Sequence, residues 1–348
     1  MLFRSVRQAA EARRLLLAAD KVVERGYLLG SEGGPATLEQ YQEEAQAALF
    51  AACRQKAGSG PRPIPDIVCE AMHELHRAAN APTAALPITT GYPSLDRHLA
   101  GLHQQELTLI AARPSMGKSA LMGCMAVGAA KAGVPQLIFS LEMSAVSLVQ
   151  RLAAGEVHMD SNLLRGKPTI EALEQAKRGA GIVAELPLAI DDGGTLTMTE
   201  LRARARRWRA RHQGRAVIWV DYLQLIVPPP KVDSREQEIS QISRGLKALA
   251  KELDVAVVAL SQLNRSLEQR KDRRPLCSDL RESGSLEQDA DTVLFVYRDE
   301  VYNSATKDRG VAEIIIGKQR SGPTRTVKLT YIPHCTRFEE LEIGRAHV

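Results

Sequence analysis

Aromatic residues make up only 4% of this 348-residue chain, and cysteine occurs five times. So few aromatics leave little material for a platform on which successive nucleobases could stack. Cys53, Cys69, Cys124, Cys277 and Cys335 are too scattered for a disulfide framework and never form a C-x-x-C pair. They are expected to be reduced and mostly buried. There is no run of about 18 apolar residues and no charged, apolar leader, so neither a membrane span nor a secretory signal is read and cytoplasmic residence is the default expectation. His73 and His76 stand three apart without further ligands nearby, and no structural metal is assigned to them. Charge of one sign is not in large excess either. A formal net charge of +5 suits a polyanionic partner without requiring one.

What is present points more sharply. An apolar fraction of 44% over this length gives room for one large domain and a smaller appendage. The apolar run Leu107-Thr-Leu-Ile-Ala111 is followed by Ala112-Arg-Pro-Ser-Met-Gly-Lys-Ser119 and then by a segment rich in Ala, Met and Leu. That order reads as strand, phosphate loop and helix. Backbone N–H groups of such a loop, together with the positive end of the helix, surround nucleotide phosphates. In this pattern Ala112, Arg113, Pro114, Ser115, Met116 and Gly117 form the cradle, Lys118 neutralises the β and γ groups and the Ser119 hydroxyl reaches Mg²⁺. The general pattern has Gly where Ala112 stands.

Strands and helices alternate from Leu86 onward, with apolar runs at Leu107 to Ala111, Gln136 to Ser140, Ala216 to Val220, Val255 to Leu260 and Asp291 to Tyr297. Alternation predicts a parallel sheet covered by helices on both faces. Val311 to Ile316 and Thr324 to Tyr331, joined by Gly317-Lys-Gln-Arg-Ser-Gly-Pro323, predict an antiparallel pair with a charged turn at the sheet edge. Before this region, helical spacing over Val6 to Gln55 predicts a helical hairpin. A Gly- and Pro-rich linker, Gly58 to Pro65, then leads into an amphipathic helix with Ile67, Val68, Ala71, Met72 and Leu75 on one face. That face needs either its own domain's core or a neighbouring subunit to cover it. Leu2 to Ser5 and Ile343 to Val348 read as foreign ends, so native residues are expected beyond both.

Ligands of open α/β sheets gather at the carboxyl ends of the strands. Asp221 follows Ala216 to Val220 and matches a Walker B acid, with a helix cap as its plain alternative. Glu142 follows Leu137 to Ser140 and could activate a water beside a γ-phosphate, or merely cap the next helix. Gln262 follows Val255 to Leu260 and carries an amide able to sense the γ-phosphate. Arg202, Arg204, Arg206, Arg207, Arg209 and Arg211 form a basic helix read as solvated surface.

With ARPSMGKS at Ala112 to Ser119, SLEM at Ser140 to Met143, DYLQL at Asp221 to Leu225, SQLNR at Ser261 to Arg265, SDLRESGSLEQDAD at Ser278 to Asp291 and GKQRSGPT at Gly317 to Thr324, the chain resembles DnaB-type replicative DNA helicases from about Val6 to Leu341. These are hexameric RecA-fold motors, and the family commonly carries Ala at the position of Ala112. The resemblance implies an α/β fold: a RecA-like P-loop NTPase domain with a mostly parallel sheet, preceded by an α-helical hairpin and a linker helix. Residues 1–60 would then be what remains of the helical amino-terminal collar, 61–84 the linker and linker helix, 85–342 the ATPase and helicase domain, and 343–348 a foreign tail.

Roles follow from the resemblance. It implies ATP and Mg²⁺ as ligands, Glu142 as hydrolytic base, Asp221 as Walker B acid and Gln262 as sensor. Lys318 and Arg320 would reach the nucleotide of the adjacent subunit, where such a finger raises kcat by about 10³ to 10⁵ fold in other phosphate-cleaving enzymes. Arg281, Glu282 and Gly284 would contact single-stranded DNA in the central channel, gripping backbone rather than sequence. The implied partners are single-stranded and forked DNA, five further copies in a homohexamer, primase, a helicase loader and the replicative polymerase complex, with no membrane. Movement would be 5′ to 3′. Two other readings share part of this pattern: a RecA-like recombination ATPase, which forms filaments, and a non-catalytic module that binds replication partners.

Overall fold

The computed structural model describes residues 16–31, 34, 35, 37–54, 64, 65, 67–69, 72, 76, 87–164, 166, 168–228, 234–280 and 284–341. The chain divides into two units, Met1–Leu86 and Pro87–Val348.

In the first unit, α1 spans residues 16–27 and α2 spans Leu38–Arg54. Polar contacts join them. Arg25 donates from Nε and Nη2 to Glu44 Oε2 at 2.9 and 2.7 Å, and the Tyr41 hydroxyl donates to the Val22 carbonyl. The described residues of the following segment, 64, 65, 67–69, 72 and 76, are helical. Ile64, Ile67, Val68 and Met72 recur at the spacing of one helix face, and all four are exposed. These residues do not pack into a core of their own unit. His73, the remaining linker residues, and the ends at 2–5 and 343–348 lie outside the described residues.

The second unit is built on one nine-stranded sheet in the order β3-β2-β4-β5-β1-β6-β7-β8-β9. Its strands are β1 (Leu107–Ala112), β2 (Gln136–Ser140), β3 (Leu188–Asp191), β4 (Val217–Asp221), β5 (Ala256–Gln262), β6 (Thr292–Tyr297), β7 (Val311–Gln319), β8 (Arg325–Ile332) and β9 (Arg337–Glu340). All pairings from β3 through β6 are parallel, and those from β6 through β9 are antiparallel. Strands β1, β2, β4 and β6 are buried along their whole length, which is why they read as unbroken apolar runs.

The helices are α3 (Pro93–Leu99), α4 (Lys118–Lys131), α5 (Ala145–Glu156), α6 (Ile170–Ala184), α7 (Met198–Arg211), α8 (Arg235–Leu253) and the short α9 (Gly284–Asp289). Helix α4 carries small and apolar residues nearly all round and is buried accordingly, from Ala120 to Ala130. In α8, Ile239, Ile242, Leu246, Leu249 and Leu253 form one buried stripe between the Ser234 cap and Asp254, a left-handed C-cap. Each such fully buried side chain contributes roughly 1.5–3 kcal/mol of apolar transfer. Trp219, wholly buried, donates from Nε1 to Gln136 Oε1 at 2.7 Å, so its one polar atom is satisfied inside the core.

Several expectations change. Strands β3 and β9 had no place in the sequence reading, because four residues with a partly buried pattern, as in Arg337-Phe-Glu-Glu340, give no clear alternation. The antiparallel pair is therefore not at the edge, since β9 covers β8. Lys318 is not in a turn but inside β7, which runs on to Gln319. Of Cys69, Cys124, Cys277 and Cys335, all free thiols, Cys335 is buried, Cys124 and Cys277 are half-buried and Cys69 is exposed. No described helix is long and apolar enough to cross a membrane.

Candidate functional site

The loop after β1 enters α4 through two residues with positive φ, Ser115 at 67° and Gly117 at 98°. Glycine is required at the second. A Cβ there would stand 3.0 Å from the Phe338 ring and 3.3 Å from that of Tyr331. The loop lines a cavity of about 400 Å³ with Ala112, Arg113, Pro114, Ser115, Gly117, Lys118, Ser119 and Ala120, opposite Glu142, Gln262 and Tyr222. Met116 is absent from this wall: its side chain is in the hydrophobic core, which anchors the loop from below. Arg113 is also a strut. Its guanidinium donates to Glu268 and to the Leu263 carbonyl, each at 2.9 Å. Arg298 performs a similar service, donating to the Ser115 carbonyl at 3.2 Å while lying 4.0 Å above the Tyr331 ring.

Two buried charges face each other at the strand ends. Lys118 Nζ lies 4.0 Å from Asp221 Oδ1, with side chains only 12% and 3% exposed. Burial pulls the Lys118 ammonium below its ordinary range against the attraction of Asp221 and Glu142. Burial likewise raises the Asp221 carboxyl, opposed by Lys118 and Ser119 and reinforced by Glu142. For both groups desolvation outweighs a pairing too distant for a direct hydrogen bond. Asp221 Oδ1 is buried without a hydrogen-bond partner. A lone buried carboxylate oxygen beside a buried ammonium fits an arrangement that takes a phosphate on one side and a hard divalent cation on the other.

The capping alternatives fall away. Helix α5 is capped by Ser144, whose Oγ accepts from Ser147 N–H, and its first turn holds no acid, so Glu142 is free of that duty. Asp221 is the last residue of β4 and caps nothing. Gln262 ends β5, and its backbone is clamped by Gln224, which donates from Nε2 to Ser261 Oγ at 3.0 Å and to the Gln262 carbonyl at 3.3 Å.

The remaining predicted residues lie elsewhere. Lys318 donates to the Glu287, Gln288 and Ala290 carbonyls at the carboxyl end of α9, and Arg320 lies 3.4 Å from Asp291 Oδ1. Neither lines the cavity of its own chain. Arg281 and Glu282 lie outside the described residues, while Gly284 begins α9. The buried Asp279 just before them accepts from Arg270 and from Leu276 N–H, at 2.7 and 2.8 Å. Sequence reasoning missed Arg151, Tyr331 and Thr336, which line the cavity from α5, β8 and the turn before β9. Nothing in their sequence surroundings marks them. Tyr222, beside Asp221, could have been found from its position alone.

A family model described as the DnaB-like helicase C terminal domain matches residues 87–340. The chain is 42% identical to the replicative DNA helicase DnaB of Haemophilus influenzae, over 98% of this chain and 74% of that protein. It is 39% identical to the protein of the same name from Geobacillus stearothermophilus, over 97% and 74%. Among solved structures, an isolated ATPase domain superposes with a TM-score of 0.77 at 34% identity, covering 81% of this chain and all of that one. A DnaB-like replicative helicase, solved for its interactions with primase, gives 0.78 at 31% identity over 97% of this chain and 78% of its own. The chain belongs to the DnaB-like helicases, the ATP-dependent replicative DNA helicases with a RecA-like motor domain.

Proposed function

We propose that this chain works as a hexameric ring that hydrolyses ATP at its subunit interfaces, moves 5′ to 3′ along one DNA strand and separates the duplex at the replication fork. The observation that carries the reading is the buried, unpartnered Asp221 Oδ1 standing 4.0 Å from Lys118 Nζ at the mouth of the phosphate loop. Lys118 neutralises the β and γ phosphates, and the loop N–H groups between Ala112 and Gly117, other than at Pro114, hold their oxygens. Mg²⁺, held by Ser119 and Asp221, supplies positive charge to the same phosphates when bound. Glu142 accepts the proton of the attacking water, and Gln262 reports loss of the γ-phosphate to the loops beyond β5.

Lys318 and Arg320 act on the nucleotide of the neighbouring subunit. Their position away from their own cavity supports a contribution in trans. Arg281, Glu282 and Gly284 hold the backbone of single-stranded DNA. Residues 61–84 serve as the linker helix, and the exposed row Ile64, Ile67, Val68 and Met72 supports docking on an adjacent motor domain, residues 85–342. Helices α1 and α2, within residues 1–60, belong to the amino-terminal collar. The primase complex of a solved relative supports a primase as partner, with a loader and the replicative polymerase completing the set.

Two forked substrates test the reading, one with only a 5′ single-stranded tail and one with only a 3′ tail. ATP-driven unwinding confined to the 5′-tailed fork is the expected result. Unwinding confined to the 3′ tail, or closed rings replaced by helical filaments on DNA under the electron microscope, would overturn it.

A further inference from the structure

Of the stretch Ser278 to Asp291, the proposed function uses only Arg281, Glu282 and Gly284, and its last residue is left without a task. The Asp291 side chain is 5% exposed, and a carboxylate so buried needs partners for its oxygens. Oδ2 accepts from the Leu107 N–H at 2.8 Å and from Lys247 Nζ at 2.5 Å. Oδ1 faces Arg320, whose Nε lies 3.4 Å away. The backbone repeats both links: Arg320 N–H donates to the Asp291 carbonyl at 3.0 Å, and Asp291 N–H donates to the Leu107 carbonyl at 2.9 Å. Lys247 is itself held, since its Nζ also donates to the Gln105 carbonyl at 2.9 Å.

The two partners of this ion pair are unequal. Asp291 is fixed by β1 and α8, whereas the Arg320 side chain, just past the end of β7, is 55% exposed. An ion pair with one exposed partner adds little to stability, so its consequence lies in where Arg320 points. A long arginine samples many rotamers, and a finger acts only when its fork stands where charge develops. We propose that Asp291 is a positioning residue for the trans-acting finger: its carboxylate, braced by Lys247 and by the first residue of β1, sets the direction in which Arg320 leaves its own subunit. The inference rests on the reading of Arg320 as a finger that acts in trans. Strand β1 runs from Leu107 to the phosphate loop. The same carboxylate therefore ties the finger a subunit offers its neighbour to the strand that carries its own nucleotide site.

The test measures steady-state ATP turnover of full-length chains, alone and in equal mixtures allowed to reassemble. Asp291→Asn keeps an acceptor for the Leu107 N–H and removes the charge opposite Arg320. Alone, it is expected to lower kcat by about 10 to 100 fold with KM for ATP unchanged, because its own phosphate loop is intact. Mixed with Lys118→Ala, it is expected to exceed the mean of the two components, as Arg320→Ala does in the same mixture. Mixed with Arg320→Ala, it is expected to gain nothing. A parental kcat, recovery with Arg320→Ala, or silence with Lys118→Ala while Arg320→Ala recovers there, overturns the role of Asp291 alone. Lys247→Met removes only the brace and is expected to show the same pattern with a loss of about two to five fold, so it decides the matter if Asp291→Asn fails to fold. Failure of Arg320→Ala itself to recover with Lys118→Ala removes the trans finger, and the positioning role with it.

Discussion

Asp221 is held in its folded environment with a carboxyl raised by burial above the ordinary carboxylate range. A raised carboxyl lends stability below its unfolded value and loses it as pH rises through the folded value. At neutral pH the ionised group therefore works against folding. Asp221→Asn is expected to melt higher than the parent at pH 7 without nucleotide, by about 2–4 °C for each kcal/mol relieved, and to hydrolyse no ATP. Calorimetry paired with phosphate release checks both halves, and a variant that melts lower while keeping activity would remove Asp221 from the site. Glu142 makes a contrasting case. Because Ser144 caps α5, Glu142→Gln is expected to leave the melting temperature unchanged while lowering turnover by about 10² to 10⁴ fold.

At the scale of elements, the six arginines of α7 have unequal environments. Arg204 pairs with Asp191 at 2.7 Å and Arg206 with Glu252 at 2.6 Å. Arg209 is buried and donates to the carbonyls of Leu253, His212 and Asp254. Arg207 and Arg211 are exposed. The solvated-surface reading thus holds for part of the helix, and the remainder ties α7 to β3 and to the end of α8. Arg209→Ala strands buried carbonyls and is expected to cost about 1–3 kcal/mol in urea unfolding, against less than about 0.5 kcal/mol for Arg211→Ala. The pairing of β6 with β7 changes register between Val293 and Leu294, opposite Gly317. A Cβ at Gly317 would overlap the Phe295 ring. Gly317→Ala is therefore expected to destabilise the sheet by about 1–3 kcal/mol and, by shifting the adjacent Lys318, to depress ATP turnover as well. Urea titration and a steady-state assay read the two effects separately.

For the whole molecule, the division of labour between a chain's own cavity and its distant Lys318 and Arg320 makes a prediction about mixtures. Lys118→Ala and Arg320→Ala chains are each expected to be inactive alone. Mixed in equal amounts and allowed to reassemble, about one quarter of interfaces would pair an intact phosphate loop with an intact finger, and turnover should reappear. A mixture as silent as its components would place both residues in one chain's site. The exposed apolar row of residues 64–72 fits the same architecture, since a helix with such a face is stable only against a partner surface.

The parallel strands and the phosphate loop were legible in the sequence because a strand buried on both faces must be apolar throughout, and because the backbone turn after β1 tolerates few residues. The placement of Asp221, Glu142 and Gln262 at the carboxyl ends of their strands was legible because each follows or ends an apolar run. Tertiary structure alone decided the rest. It put Arg151, Tyr331 and Thr336 on the cavity wall, turned the Met116 side chain into the core, tied the Arg113 guanidinium to Glu268, and added β3 and β9 at the two edges. It also set Lys118 over Tyr222 and left Asp221 Oδ1 without a partner. Contacts of this kind join residues far apart in the chain, and their existence depends on burial and distance, which local pattern does not carry.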